Sequence, residues 1–197
     1  MNTAAVIARY LAAAGIRHIF GYPGDPSVEL LETARLEGME FVLARREGTA
    51  GLMAEAYGQL TGLPGVCMST LGPGSSNLVN AVAGAWLDRV PMIAISGQIE
   101  TKRVRTFTHQ VLDHNAMFGS ISKWTTDVAT DTVGTVMRKA LRIATAERPG
   151  PVHITTPADV IGAEAKDDAV LLPPMRPALT ALQVFAADGA AADPAKR

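Results

Sequence analysis

The segment 70–77, which reads Thr-Leu-Gly-Pro-Gly-Ser-Ser-Asn, contains the residues best suited to hold a ligand. Glycine lets a ligand approach the backbone closely, and the first turn of the helix predicted to follow presents free N–H groups to an acceptor. The segment lacks the third glycine of a dinucleotide-binding fingerprint and the Gly-Lys-Ser/Thr ending of a P-loop. Taken alone, it fits a ligand-binding turn and a tight strand-to-helix turn without a ligand equally well.

Glu47 is the second candidate for chemistry. It follows two arginines at the end of a predicted strand and begins a helix. The helix dipole favours a carboxylate in a first turn, which explains many such residues without any chemistry. Pro23 and the turn 72–74, however, also follow the carboxyl ends of predicted strands, as does the segment after Gly97. Because open parallel sheets bind ligands along that edge, Glu47 is predicted to lie in a binding site.

The histidines and the cysteine indicate less. His18 and His153 fall in predicted strands, whereas His109 and His114 flank an irregular segment, where one of them could exchange protons near neutral pH. No serine, histidine and aspartate stand at the spacing of a hydrolase triad, and no Cys/His cluster has metal-ligand spacing, so no metal site is predicted. Cys67 lies inside an apolar strand and is predicted to be a small core residue rather than a nucleophile.

Helices and strands are predicted to alternate along the chain. The predicted helices span about residues 3–14, 25–36, 48–60, 75–86, 113–118 and 133–146. The predicted strands span about residues 18–20, 40–44, 65–70, 90–96, 123–128 and 152–155, with irregular structure over 97–110. Asn2 or Thr3 is the predicted cap of the first helix and Gly15 its stop, and Asp25 caps the second helix ahead of Pro26.

The strands are nearly continuous apolar runs, which is typical of parallel strands that helices cover on both faces. The spacing therefore predicts a doubly wound α/β fold, with a mainly parallel sheet of about six strands and helices on both faces. A chain of 197 residues with 48% hydrophobic and 19% charged residues fits one globular domain.

The net charge of −1 gives no basic excess that would attract nucleic acid or an anionic membrane. No apolar run approaches the length of a membrane span, and the first twenty residues have helical spacing rather than the pattern of a signal peptide. The single cysteine, Cys67, has no partner for an internal disulfide. We therefore expect a cytoplasmic protein.

Together these segments resemble the N-terminal, pyrimidine-binding domain of the thiamine-diphosphate enzymes that include acetolactate synthase, pyruvate oxidase and benzoylformate decarboxylase. The matching motifs occur in the family's order and spacing from about residue 3 to 165, and the ordered set is far more specific than any one of them. They are Phe20-Gly21-Tyr22-Pro23-Gly24, Arg46-Glu47-Gly48, Ala54-Glu55-Ala56-Tyr57-Gly58, Gly65-Val66-Cys67, Gly72-Pro73-Gly74-Ser75-Ser76-Asn77, Asp88-Arg89-Val90-Pro91-Met92, Ser96-Gly97-Gln98 and Arg148-Pro149-Gly150-Pro151-Val152.

The resemblance implies a role for each pocket residue. Glu47 would be the carboxylate that hydrogen-bonds N1′ of the cofactor's aminopyrimidine and so promotes removal of the thiazolium C2 proton. Gln110 would reach toward the thiazolium and the substrate, with His109 beside it as a further substrate contact. The positions that would wall the pyrimidine pocket are Tyr22, Pro23, Gly24, Thr70, Pro73, Gly74 and Asn77.

Two departures from the family pattern limit what the resemblance implies. The diphosphate and magnesium motif, Gly-Asp-Gly followed by a distant Asn, is absent from the sequence. Thiamine diphosphate would therefore be shared with a diphosphate-binding domain of the same or another chain, and Mg²⁺ would be held only by that domain. Acetolactate synthases typically carry Phe before the glutamine and an acid after it, so His109-Gln110-Val111 does not predict acetolactate as the product. The sequence does not determine whether FAD is used.

The resemblance implies a carboligase or decarboxylase of 2-keto acids that works as a homodimer or tetramer, and a chain that is inactive alone. Residues 1–165 form the predicted domain, and residues 166–197, rich in Ala, Pro and Asp, a linker toward a middle domain. We expect either an N-terminal piece of a longer chain or a subunit of a naturally split enzyme, as in some sulfopyruvate decarboxylases. A non-catalytic binding or regulatory domain is the alternative function. A generic nucleotide-binding domain is disfavoured because a phosphate fingerprint is missing.

Overall fold

The computed structural model describes residues 1–172 and 174–184. The helices are α1 (Thr3–Ala13), α2 (Val28–Leu36), α3 (Glu47–Thr61), α4 (Pro73–Asn77), α5 (Val79–Leu87), α6 (His114–Gly119), α7 (Val133–Thr145) and α8 (Ala158–Ile161). The strands are β1 (His18–Gly21), β2 (Glu40–Leu43), β3 (Gly65–Ser69), β4 (Met92–Gln98), β5 (Trp124–Asp127) and β6 (Pro151–Pro157). Short 3-10 turns span Asp25–Ser27 and Thr101–Arg103, and residues 181–184 form a helical turn.

Within the described ranges the six strands form one sheet, in the order β2-β1-β3-β4-β6-β5, and every neighbouring pair is parallel. This confirms the predicted doubly wound α/β fold. From β1 the chain moves outward to β2 and then returns to the other side of β1 to form β3. The connections that leave β1 and β3 therefore diverge, and a crevice opens between them at the carboxyl edge of the sheet.

Helices cover both faces of the sheet. Side chains alternate along a strand, so neighbouring residues of β3 belong to different layers of the core. Val66 and Met68 pack in the layer with α1, α2 and α7, whereas Cys67 packs in the layer with α3, α5 and α6. The continuous apolar run that predicted a parallel strand therefore fills both layers, each large aliphatic side chain contributing about 1.5–3 kcal/mol to stability.

Two predicted helix starts were wrong. Asp25 lies inside a 3-10 turn, where the Ser27 hydroxyl donates to Gly24 O (2.7 Å) and accepts from Gly24 N (3.0 Å), and α2 begins only after that turn. The helix predicted over 75–86 begins earlier, at Pro73, because proline has no N–H that a first helical position would leave unpaired. It is also interrupted at Leu78, whose N–H bonds three residues back and tightens the turn between α4 and α5.

The strand predicted over 90–96 lies two residues further along the chain, since β4 ends at Gln98 rather than giving way to irregular structure at Gly97. The reason is its neighbour, β6, which continues beside it and pairs with both of these residues. The last strand is correspondingly longer than the predicted 152–155. Pairing between neighbouring strands therefore decides where β4 and β6 end, and local sequence does not show this pairing.

The segment after residue 165 runs along the domain surface and is hydrogen-bonded to it. The Lys166 N–H donates to Thr130 O (2.7 Å), and the Ala178 N–H donates to Gly62 O (2.8 Å). That residues 166–197 serve as a linker stays a prediction, and residues 173 and 185–197 lie outside the described ranges. No helix in the described part of the chain has the length and apolarity needed to cross a membrane.

Candidate functional site

The crevice between β1 and β3 is lined by two connections that touch each other. Gly24, after β1, lies against Thr70, the residue that follows β3, and a Cβ atom at position 24 would overlap the Thr70 side chain. Only glycine therefore allows the two connections to approach this closely. The sequence predicted both residues as pocket residues, and the structure brings them together.

Glu47, the first residue of α3, extends into the same crevice. It is only 8% exposed, and Asn77 Nδ2 donates to its Oε2 at 3.0 Å. Gly74 lies over the other carboxylate oxygen: a Cβ atom there would be 3.1 Å from Glu47 Oε1 and 2.6 Å from Thr70 Cγ2. No hydrogen bond reaches Glu47 Oε1 from residues 1–172 or 174–184, so this oxygen can accept a donor from a ligand.

Gln110 approaches the crevice from the connection after β4. Gly72 has a φ of +57°, and a Cβ atom at that position would overlap the Gln110 backbone carbonyl. Gln110 itself has a φ of +59°, a left-handed conformation that non-glycine residues rarely adopt. The turn 72–74 and Gln110 are therefore fitted to each other, although the Gln110 side chain makes no hydrogen bond within the described ranges.

The remaining predicted residues lie at the rim or away from it. Tyr22 is 45% exposed, and Pro23, Pro73 and His109 are exposed as well. No hydrogen bond joins His109 to the residues around Glu47 in the part of the chain that the structure describes. The assignments of these side chains to cofactor or substrate stay predictions.

His114 and Cys67 are buried away from Glu47. Burial lowers the pKa of His114 although Asp127 and Asp113 oppose the shift, so His114 is poorly suited to carry a proton near neutral pH. His114 lines a different cavity, of about 450 Å³, together with Asp127. Burial raises the pKa of the Cys67 thiol to about 12, which agrees with the predicted core role.

Sequence reasoning missed a buried polar cluster beside the site. Ser69, Ser96 and His153 are all fully buried in neighbouring strands and are hydrogen-bonded to each other. Their signal in the sequence is a polar residue within an otherwise apolar strand, and such residues are buried only when they are paired. Among the described residues, no group of three or more His, Cys, Asp or Glu side chains lies close enough together to hold a metal ion.

The fold and the crevice define a doubly wound α/β domain with a candidate ligand site where the strand order reverses. Residues 1–117, more than half of the 197, match the family described as thiamine pyrophosphate enzyme, N-terminal TPP binding domain. The chain belongs to this family, which confirms the resemblance of the motifs. Thiamine pyrophosphate is another name for thiamine diphosphate.

Curated relatives match over most of the chain. The probable acetolactate synthase large subunit of Methanocaldococcus jannaschii is 37% identical over 161 residues, which make up 81% of this chain and 27% of that protein. The acetolactate synthase isozyme 2 large subunit of Escherichia coli is 34% identical over 81% of this chain and 29% of its own. The catabolic acetolactate synthase of Raoultella terrigena is 32% identical over 95% and 33%. The chain thus spans about a quarter to a third of the length of these relatives.

Proposed function

We propose that this chain is the pyrimidine-binding domain of a thiamine-diphosphate-dependent carboligase or decarboxylase that acts on 2-keto acids. The observation that carries the proposal is the state of Glu47: a buried carboxylate at the crevice, with one oxygen held by Asn77 and the other facing Gly74. The family membership supports the choice of cofactor. The similarity to acetolactate synthases supports the class of reaction.

The residues around the crevice fit an aminopyrimidine ring. Gly24 and Gly74 carry no side chain that would push Thr70 away, so both backbones close onto Thr70 and form a compact wall against which a flat ring can lie. Thr70 forms the wall between them, and Tyr22 and Pro23 lie at the open side, where a second domain can cover the ring. Glu47 Oε1 is the acceptor for a donor on the ring edge, and Asn77 keeps the carboxylate in that orientation.

Thiamine diphosphate, when bound, supplies a nucleophilic C2 carbon that adds to the keto carbonyl and accommodates the electron pair left by carbon dioxide. The task of this chain is to hold a proton at the far end of the pyrimidine. Glu47, hydrogen-bonded to N1′, would stabilise the ring form whose exocyclic nitrogen can take the C2 proton. A carboxylate in a site closed to water is more effective in this role than one in bulk solvent.

The diphosphate group would be held by a second domain, on the same or another chain, together with Mg²⁺. We expect a homodimer or tetramer in which the pyrimidine crevice of one subunit faces the diphosphate site of its neighbour. This chain alone should bind thiamine diphosphate weakly and should have no activity, because the crevice offers contacts to only one end of the cofactor.

The Glu47→Gln variant tests the proposal in the complete enzyme that carries this domain. Glutamine keeps the size of the side chain but does not hold the proton, so exchange of the cofactor C2 hydrogen for deuterium should slow by at least about 100-fold. Unchanged exchange would disprove the assignment of Glu47.

Glu55→Gln is the matched control. Glu55 lies on the same helix, about 12 Å further along it, and packs against Gly84 in α5 rather than facing the crevice. Burial and the charge of Asp88 raise the pKa of Glu55, so a neutral amide is a mild change there. The exchange rate of this variant should stay within about twofold of the unmodified enzyme.

Calorimetry separates the enzyme from a non-catalytic binding domain. Thiamine diphosphate and magnesium are titrated into this chain alone and into a mixture with a diphosphate-binding domain. Tight binding only in the mixture supports the proposal. Tight binding to the isolated chain, with no C2 exchange in either case, would favour a regulatory domain.

A further inference from the structure

A hydrogen-bonded row of buried polar side chains crosses the sheet next to the candidate site. Ser69 Oγ lies 3.1 Å from Ser96 Oγ, and Ser96 Oγ lies 2.9 Å from His153 Nε2. All three residues are 0% exposed, and the Phe118 ring stacks on the imidazole at 4.0 Å. Since a buried polar group is costly unless it is paired, these contacts hold the three strands in one arrangement.

The outer end of this row of side chains sets the direction of the hydrogen bonds as far as Ser96. The Asp127 carboxylate only accepts, so Asn115 Nδ2 donates to it at 3.1 Å. Asn115 Oδ1 then accepts from Thr125 Oγ1 at 2.7 Å, and the Thr125 oxygen is left to accept from His153 Nδ1 at 3.3 Å. His153 therefore carries its proton on Nδ1 and accepts from the Ser96 hydroxyl at Nε2.

The inner end of this row of side chains is Ser69, which lies at the carboxyl end of β3. Ser69 is the last residue of that strand, and its hydroxyl lies 3.5 Å from the Ser75 hydroxyl, which donates to Thr70 O at 2.9 Å. Thr70 is the wall of the crevice. Two residues beyond Ser75 in the same short helix, Asn77 holds Glu47. A displacement of Ser69 is therefore transmitted to the wall and to the residue that orients the carboxylate.

We propose that His153 is a positioning residue for the candidate site. It acts through Ser96 and Ser69 on the turn 72–77, which consists of Gly72 and the short helix α4. His153 touches neither the crevice nor Glu47. It joins β6, through Ser96 in β4, to Ser69 at the carboxyl end of β3 and so helps to fix the place at which Asn77 meets Glu47. The catalytic consequence rests on the proposed function, whereas the effect on the order of the turn does not.

The first test measures the turn directly in this chain. The N–H groups of Gly74, Ser76 and Leu78 are hydrogen-bonded within the turn, so their hydrogen exchange reports its order. His153→Leu, which removes both hydrogen bonds, should speed their exchange about tenfold or more relative to the amides of α7. His153→Gln, whose side-chain oxygen can accept from Ser96, should restore slow exchange. Unchanged exchange in His153→Leu would overturn the proposal.

Ile154→Ala is the matched control. Ile154 is the next residue of β6, is equally buried, and packs in the opposite layer. It should destabilise the whole domain without selectively loosening the turn. The proposal is wrong if Ile154→Ala loosens the turn as much as His153→Leu does. If His153→Leu does not fold, Ser96→Ala breaks the same link and should show the same selective effect, and its absence would equally refute the proposal.

The second test uses the complete enzyme with saturating cofactor. His153→Leu or Ser96→Ala should slow C2 hydrogen exchange by about tenfold, since a small misplacement of a catalytic group costs that much or more. The KM for the keto acid should change little, and His153→Gln should recover most of the rate. Loosening of the turn without any change in C2 exchange would overturn the catalytic part. Because Glu47→Gln is measured in the same assay, a failure of the proposed function is recognised separately by normal exchange in that variant.

Discussion

The Asn77→Asp variant offers the sharpest test of the geometry around Glu47. In the structure Asn77 Nδ2 donates to Glu47 Oε2 at 3.0 Å, and the glutamate is 8% exposed. Aspartate has the same shape but brings a second carboxylate to this position. At neutral pH the hydrogen bond is therefore replaced by repulsion between two negative charges.

The distance between the side chains of residues 77 and 47 sets the size of the expected loss of stability. Two unit charges 3.0 Å apart repel by roughly 5 kcal/mol at an effective dielectric constant of about 20, and the lost hydrogen bond adds about 1–3 kcal/mol. Rotation of the half-buried aspartate toward solvent relieves part of this repulsion. We expect the free energy of unfolding to fall by about 2–4 kcal/mol near pH 7. Acid should reduce this loss, because a proton shared between two neighbouring carboxyl groups replaces their repulsion by a hydrogen bond.

Urea unfolding of this chain, followed by fluorescence and circular dichroism, measures the difference at each pH. Asn80→Asp is the control. Asn80 is exposed and lies about one helical turn after Asn77, and its substitution changes the net charge by the same amount. Its effect should stay within about 0.5 kcal/mol. The contact between Asn77 and Glu47 is wrong if Asn77→Asp is no more destabilising than Asn80→Asp near pH 7, or if its loss of stability does not decrease on acidification.

Two further predictions concern packing and pH. Gly74→Ala places a methyl group 2.6 Å from Thr70 Cγ2, so urea unfolding should show a loss of about 1–3 kcal/mol, whereas Gly119→Ala, with nothing within 4 Å, should change little. Burial lowers the pKa of both His114 and His153 below the ordinary 6.5. Below about pH 6.5 the unfolded chain takes up protons that these two buried histidines exclude in the folded state, so stability should be highest above that pH and should decrease as the pH falls below it. Unfolding curves between about pH 7.5 and pH 5 check this; a flat profile would contradict it, and His153→Leu should make the decrease in stability with falling pH shallower.

Local sequence predicted those features that local chemistry decides. Asn2, one of the two predicted caps of α1, accepts the hydrogen bond from Ala5 N at 2.9 Å, and Gly15 adopts a φ of +83° just past the end of that helix. The apolar run of β3 was recognisable because a parallel strand covered on both faces has no polar side. The edge at which Glu47 lies followed from the order of strands and helices alone.

Local sequence did not predict where some strands end or where a helix is interrupted. Gln98 belongs to β4 only because β6 continues alongside it, and α4 separates from α5 where the turn tightens at Leu78. Asp25 had the sequence signature of a helix cap, but the Ser27 hydroxyl bonds the backbone of Gly24 and delays the helix. Competing hydrogen-bond partners of similar strength decide such cases, and their geometry is set by the fold.

The sequence by itself determined the fold class, the edge of the sheet that carries the site, and Glu47 as the residue to test, because periodicity, turn residues and ordered motifs are written in the chain. Only the tertiary structure decided how Glu47 is held. Its partner, Asn77, lies thirty residues away on another helix, and Gly24 and Gly72 are needed because Thr70 and Gln110 approach them from other connections of the sheet. The buried path from Ser69 to His153 likewise joins residues of three strands that become adjacent only when the sheet forms.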